Sequence, residues 1–151
     1  MEEDLRALKD NGWTPVSVSA VLRYVLEGEP LPDRPVLLVF DDGYRSFLTR
    51  ALPLLRAHDA PAAVSVIGRQ AQQARAGNGG AFEPVFAYPY GSLEPLAEPL
   101  LQAHGFLATL TSEEHVNVLT RSADCLYLLG RLNRSAFLQT QDVLDWMESG
   151  R

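Results

Sequence analysis

The chain has 151 residues, 46% of them hydrophobic and 21% charged, with a formal net charge of −6. That suits a domain with its own core and is too short for a complete (β/α) barrel. A single lysine, Lys9, among 13 basic side chains leaves no basic patch for nucleic acid, and one cysteine, Cys125, excludes an internal disulfide or a cysteine-rich metal site.

The chain opens Met-Glu-Glu-Asp-Leu-Arg, neither basic nor followed by an apolar run, so no signal peptide is expected. No stretch is long and apolar enough to suggest a membrane span. Glu2 to Asn11 reads as a helix with Leu5 and Leu8 on one face and Gly12 as its stop. Val16 to Val18 reads as extended, after which Ser19 is the expected cap of a helix carrying Val21, Leu22 and Val25, stopped by Gly28. Leu31-Pro32-Asp33-Arg34-Pro35 is a connector, its prolines excluding helix.

Val36 to Phe40 is a run of five apolar residues, the pattern of a strand buried on both faces in a mostly parallel sheet. Asp41, Asp42 and Gly43 follow at once. Strand carboxyl ends gather ligands and catalytic groups in α/β folds, and adjacent carboxylates call for water, donors or a cation. The tripeptide alone also fits an ordinary acidic turn. Ser46 to His58 has helical spacing, with Pro53 kinking it or starting its second half, and Ala62 to Gly68 reads as the next strand. The expected unit is therefore βαβ, with parallel strands.

Arg69 to Gly80 is polar and ends Gly77-Asn78-Gly79-Gly80, read as a short helix and a flexible joint. Val85-Phe86-Ala87 is strand-like and leads into Tyr88-Pro89-Tyr90-Gly91. Ser92 is the expected cap of a helix bearing Leu96, Leu100 and Ala103, with Gly105 as its stop and Pro95 and Pro99 against it. Phe106 to Leu110 and Cys125 to Leu129 read as strands, which makes Cys125 a buried structural thiol. Thr140 is the expected cap of a terminal amphipathic helix through Val143, Leu144 and Met147 to Gly150.

Val39-Phe40-Asp41-Asp42-Gly43-Tyr44 resembles the first motif of the NodB-type polysaccharide deacetylases, most of all the branch acting on poly-β-1,6-N-acetylglucosamine. The motif there reads Thr-Phe-Asp-Asp-Gly-Tyr, so Val39 is a departure. Gly12-Trp13-Thr14-Pro15-Val16-Ser17 resembles the family's lead-in, and Tyr88-Pro89-Tyr90 its Pro-Tyr motif. On its own Tyr-Pro-Tyr-Gly also fits a turn with aromatic packing. The resemblance implies an α/β fold, a partial, irregular (β/α) barrel with mostly parallel strands. It divides the chain into a helical lead-in, 1–34, and a truncated deacetylase-like domain, 35–151, with a deletion expected near 69–81.

The implied activity is metal-dependent removal of N-acetyl groups from N-acetylglucosamine polymers. Asp41 would be the catalytic base, Asp42 a ligand of a divalent metal, usually zinc, and the Tyr90 N–H the oxyanion donor. Tyr44, Tyr88, Pro89 and Arg131 would contact the polysaccharide. A further departure concerns the metal: the family completes its site with a His-x-x-x-His pair, and the three histidines here, His58, His104 and His115, make no such spacing. Impaired hydrolysis is expected, with a non-catalytic carbohydrate-binding remnant as the alternative. His115 or a partner chain would have to supply ligands otherwise. The family works at the cell envelope or outside the cell, so the missing export signal implies a missing start, or a cytoplasmic location for a complete chain. A receiver-like signalling domain also carries an early acidic pair but needs a late lysine, and none follows Lys9.

Overall fold

The computed structural model describes residues 1–66, 83–94 and 96–150. The expected helix and joint at 69–80, and the deletion near 69–81, lie outside them. The described chain forms three βαβ arrangements in series, each joining two short parallel strands. Parallel neighbours need a crossover, and helical segments supply it each time. No closed barrel is present among the described residues. Chain contacts divide the protein into two units, residues 1–21 with 30–83 and residues 22–29 with 84–151.

In the first unit, α1 (Glu2–Asp10) buries Leu5 and Leu8 as its spacing requires, and the chain turns at Gly12. Strand β1 (Thr14–Pro15) pairs in parallel with β2 (Pro35–Val36), register Thr14 to Pro35. The extended piece thus lies earlier than expected. Helix α2 (Val18–Glu27) starts one residue before Ser19 and runs across the division between the units. Its cap is Ser17, whose hydroxyl accepts the Ala20 N–H at 3.1 Å, while Ser19 donates to the Glu83 carboxylate. Two serines separated by one residue are equivalent in sequence, and the backbone entry angle chooses between them.

Strand β3 (Leu38–Phe40) pairs in parallel with β4 (Ala62–Val64), and the Ser65 N–H extends the ladder to Phe40 O at 2.8 Å. The expected burial of Val36 to Phe40 on both faces is corrected, because these residues are only half-buried. The hydrophobic cluster beneath them is Leu5, Leu55 and Ala60, with Leu38, Phe40, Phe47, Leu54 and Ala62 packed against it. Phe40 and Phe47 meet edge to face at 5.0 Å, tying the strand to its crossover. That crossover begins as a π-helical turn, Phe47–Ala51, and tightens into α3 (Leu52–Ala57). Pro53 sits directly behind that π-helical turn, a local widening of the kind that marks where a proline interrupts a helix.

In the second unit, β5 (Val85–Ala87) pairs in parallel with β6 (Ala108–Leu110), and Leu110 bridges in parallel to Leu129. Helix α4 (Ala97–Ala103) is the crossover. It starts later than expected, so Pro99 falls in its first turn. Ser92 does not cap it, its N–H closing the preceding turn onto Pro89 O at 3.0 Å. Cys125 to Leu129 is not a strand: Ala123–Leu126 is a 3-10 turn, and only Leu129 reaches the sheet. Cys125 is half-buried and its Sγ takes the Thr120 N–H at 3.3 Å, whereas Leu126 is fully buried. Helix α5 (Thr140–Ser149) buries Leu144 and Met147. Gln139 caps it in place of Thr140, in a reciprocal box with Asp142. No helix among the described residues is long and apolar enough to cross a membrane.

Candidate active site

The carboxyl end of β3 presents the acidic motif in the first unit. Asp41 and Asp42 are both exposed, Asp42 with φ +66 and Gly43 with φ +67, and the Gly43 N–H closes back onto Asp41 O at 2.9 Å. A left-handed aspartate is tolerated through its short polar side chain and is still uncommon away from special turns. The turn breaks the strand alternation that would otherwise carry Asp42 along the sheet. Tyr44 follows, 67% exposed, and its carbonyl accepts the Phe47 N–H at 2.9 Å, opening the helical crossover.

The second unit carries the other motif at the carboxyl edge of its strands. Tyr88 extends β5, donating its N–H to Leu110 O at 2.9 Å, and is 5% exposed. Pro89–Gly91 forms a 3-10 turn, in which Tyr90 has φ +55 and is fully exposed. The turn is closed by the N–H groups of Gly91 and Ser92, bonded to Tyr88 O and Pro89 O, and neither bond uses the N–H of Tyr90. Arg131 lies on the same edge, two residues after the bridge at Leu129. Its Nε donates to Thr111 O at 2.8 Å and its N–H to Glu113 O at 2.9 Å. His115 packs its ring over Gly130, and Asn117 exchanges two hydrogen bonds with the Gly130 backbone.

Two residues beneath this edge carry chemistry that sequence reasoning missed. The Tyr88 hydroxyl donates to Glu98 Oε1 at 2.8 Å, and the wholly buried Thr109 hydroxyl donates to the same oxygen at 2.7 Å. Thr109 Oγ1 in turn accepts the Leu128 N–H at 2.8 Å. A threonine inside the apolar run 106–110 was the available signal, since a buried hydroxyl needs a partner. Nothing marked Glu98 as that partner.

Burial pushes the Tyr88 phenol up to about 12, and the hydrogen bond to Glu98 and that carboxylate's charge push the same way. A proton held more tightly in the folded state stabilises fully below pH 10, and that contribution fades as pH climbs from 10 toward 12. Wild-type protein should therefore lose thermal stability across that window more steeply than Tyr88→Phe. Parallel melting curves for the two would refute the assignment.

A catalytic zinc takes three protein ligands and leaves one position open. The described residues do not meet that requirement. Asp41 and Asp42 offer two adjacent exposed carboxylates, and no group of three or more His, Cys, Asp or Glu residues among the described residues is placed to hold a metal.

Residues 28–81 match the polysaccharide deacetylase family model. Over that segment the chain is similar to the polysaccharide deacetylases. It is 41% identical over 68 residues to the poly-β-1,6-N-acetyl-D-glucosamine N-deacetylases of Escherichia coli K12 and O157:H7, which covers 45% of this chain. The aligned stretch spans about a tenth of the length of those relatives (10%). Solved deacetylase structures share the fold. IcaB from Ammonifex degensii matches with a TM-score of 0.73 and 20% identity, covering 97% of this chain and 87% of that one. The Streptococcus pyogenes deacetylase PplD, in complex with acetate, gives 0.71 and 20%, covering 97% and 84%. A de-N-acetylase from Aggregatibacter actinomycetemcomitans gives 0.74 and 16%, covering 94% and 86%. The partial α/β barrel of this deacetylase type, with parallel strands, is thus the fold of the chain.

Proposed function

We propose that this deacetylase-like chain recognises N-acetylglucosamine polymers, and that its hydrolysis of their N-acetyl groups is impaired unless metal donors come from elsewhere. The observation that carries the reading is the exposed Asp41-Asp42-Gly43 turn at a strand's carboxyl end, inside the segment matched by the family model. In this reading Asp41 is the base for water and Asp42 the only metal donor of the motif. The Tyr90 N–H, left out of its turn's bonding, supports the role of oxyanion donor. Tyr44 and Tyr90 offer exposed ring faces to sugars. Tyr88 and Pro89 shape the turn, and Arg131 has its Nε anchored on the backbone beside it. A polymer of this kind would place the working protein at the cell envelope.

The test is acetate release from N-acetylglucosamine oligomers with added zinc or cobalt, with chelator, and after Asp41→Asn. Ligand-induced shifts in the amide spectrum are followed in parallel. Binding with little or no acetate is expected. Metal-dependent release abolished by Asp41→Asn would overturn the impairment, and absence of binding would overturn recognition of the polymer.

A further inference from the structure

We propose that Glu98 is a positioning residue that couples the Tyr88-Pro89-Tyr90 turn to the Leu128–Arg131 segment, so that both present one fixed edge to an N-acetylated sugar chain. The coupling stands on the second unit alone. Its consequence for sugar binding rests on the function proposed above.

The two segments are neighbours through the chain between them. A Cβ placed on Gly91 would lie 2.8 Å from Ser112 Cβ, and Arg131 bonds to Thr111 O and Glu113 O on either side of that serine. The short piece 111–113 is therefore bracketed by the tyrosine turn on one side and the arginine on the other. Beneath it runs a continuous path of hydrogen bonds: Tyr88 hydroxyl to Glu98 Oε1, Thr109 hydroxyl to the same oxygen, and Leu128 N–H to Thr109 Oγ1. Each end of the path sits at a strained backbone. Tyr90, two residues past Tyr88, has φ +55, and Leu128 itself has φ +59. A bulky residue in the left-handed region persists only when its surroundings over-determine it, and such residues cluster at functional sites. Glu98 ties both ends to one atom.

The carboxylate is also an anomaly that asks for a reason. Its Oε1 accepts two donors, while Oε2 is buried without a hydrogen-bond partner among the described residues. A hydrophobic residue would avoid that desolvation cost, so stability is a poor account of the glutamate. Only an acceptor can hold the two hydroxyls together. Glutamine preserves this role, because its amide oxygen keeps two lone pairs. Alanine does not.

The 151-residue chain is compared with Glu98→Gln, Glu98→Ala and Tyr88→Phe by backbone amide spectra and by titration with a chito-oligosaccharide. Glu98→Ala should move the amides of Tyr90–Gly91 and Leu128–Arg131 together and weaken oligosaccharide binding about tenfold, the effect of one lost net hydrogen bond. Glu98→Gln should restore both, which a purely packing role would not require. Tyr88→Phe removes one hydroxyl with little risk to folding, and it should still shift the Leu128–Arg131 amides from the far end of the path. If those amides stay in place in Tyr88→Phe, or Glu98→Gln behaves as Glu98→Ala, the coupling is overturned. Coupled amide shifts in a protein that binds no oligosaccharide would retain the coupling and overturn the function it serves.

Discussion

Leu126→Ala is expected to lower the free energy of unfolding by about 2–5 kcal/mol, the range for deleting a leucine side chain in a core that relaxes poorly. Among the described residues Leu126 is the largest fully buried side chain, at 0% exposure, and it ends the 3-10 turn Ala123–Leu126. Native domains keep only about 5–15 kcal/mol in total, so the loss should be plain in urea unfolding. Amide exchange should locate it, with the largest loss of protection in β5 and β6. Phe137→Ala is the control: Phe137 is 95% exposed, and its truncation should cost no more than about 0.5 kcal/mol. Equal effects from the two substitutions would contradict the burial assigned to Leu126.

Gly91→Ala should have the second largest effect, and it acts on the candidate site directly. Two penalties combine. Gly91 has φ +67, where an L-residue costs about 1–2 kcal/mol, and its new Cβ would stand 2.8 Å from Ser112 Cβ and 3.3 Å from Ser112 N. The backbone contact cannot be relieved by a rotamer change, so either the tyrosine turn or the 111–113 piece must shift. A destabilisation of about 1–3 kcal/mol is expected, together with loss of oligosaccharide binding out of proportion to it. Gly105→Ala separates the terms. It shares the positive φ, at +82, and a Cβ there meets nothing within 4 Å. It should therefore show the backbone penalty and leave binding intact. Equal binding by the Gly91 and Gly105 variants would remove the argument that the close approach to Ser112 sets the site.

The two motifs of the candidate site were legible because the residues of each are contiguous. Asp41, Asp42 and Gly43 follow an apolar run, and Tyr88, Pro89, Tyr90 and Gly91 follow another, so each motif declared its own strand end. The Glu98 cluster was not legible for the opposite reason. Its members come from four separate segments, and hydrogen bonds between residues 10, 11 and 19 positions apart leave no periodic trace. The cap errors at Ser17 and Gln139 have the same origin. Neighbouring polar residues offer near-equal local energies, and the direction from which the chain enters each helix decides which of them faces the free N–H groups.

By itself the sequence determined most of the described helices and the parallel α/β class, because apolar spacing, prolines and glycines act within a few residues. It also determined the two motifs and the lack of a His-x-x-x-His pair. Only the tertiary structure decided that Val36 to Phe40 are half-buried, that Leu126 and not Cys125 fills the core, and that one glutamate oxygen holds two hydroxyls. Burial and long-range hydrogen bonding are properties of what the folded chain brings alongside a residue, and a residue's own neighbours in sequence do not specify that company.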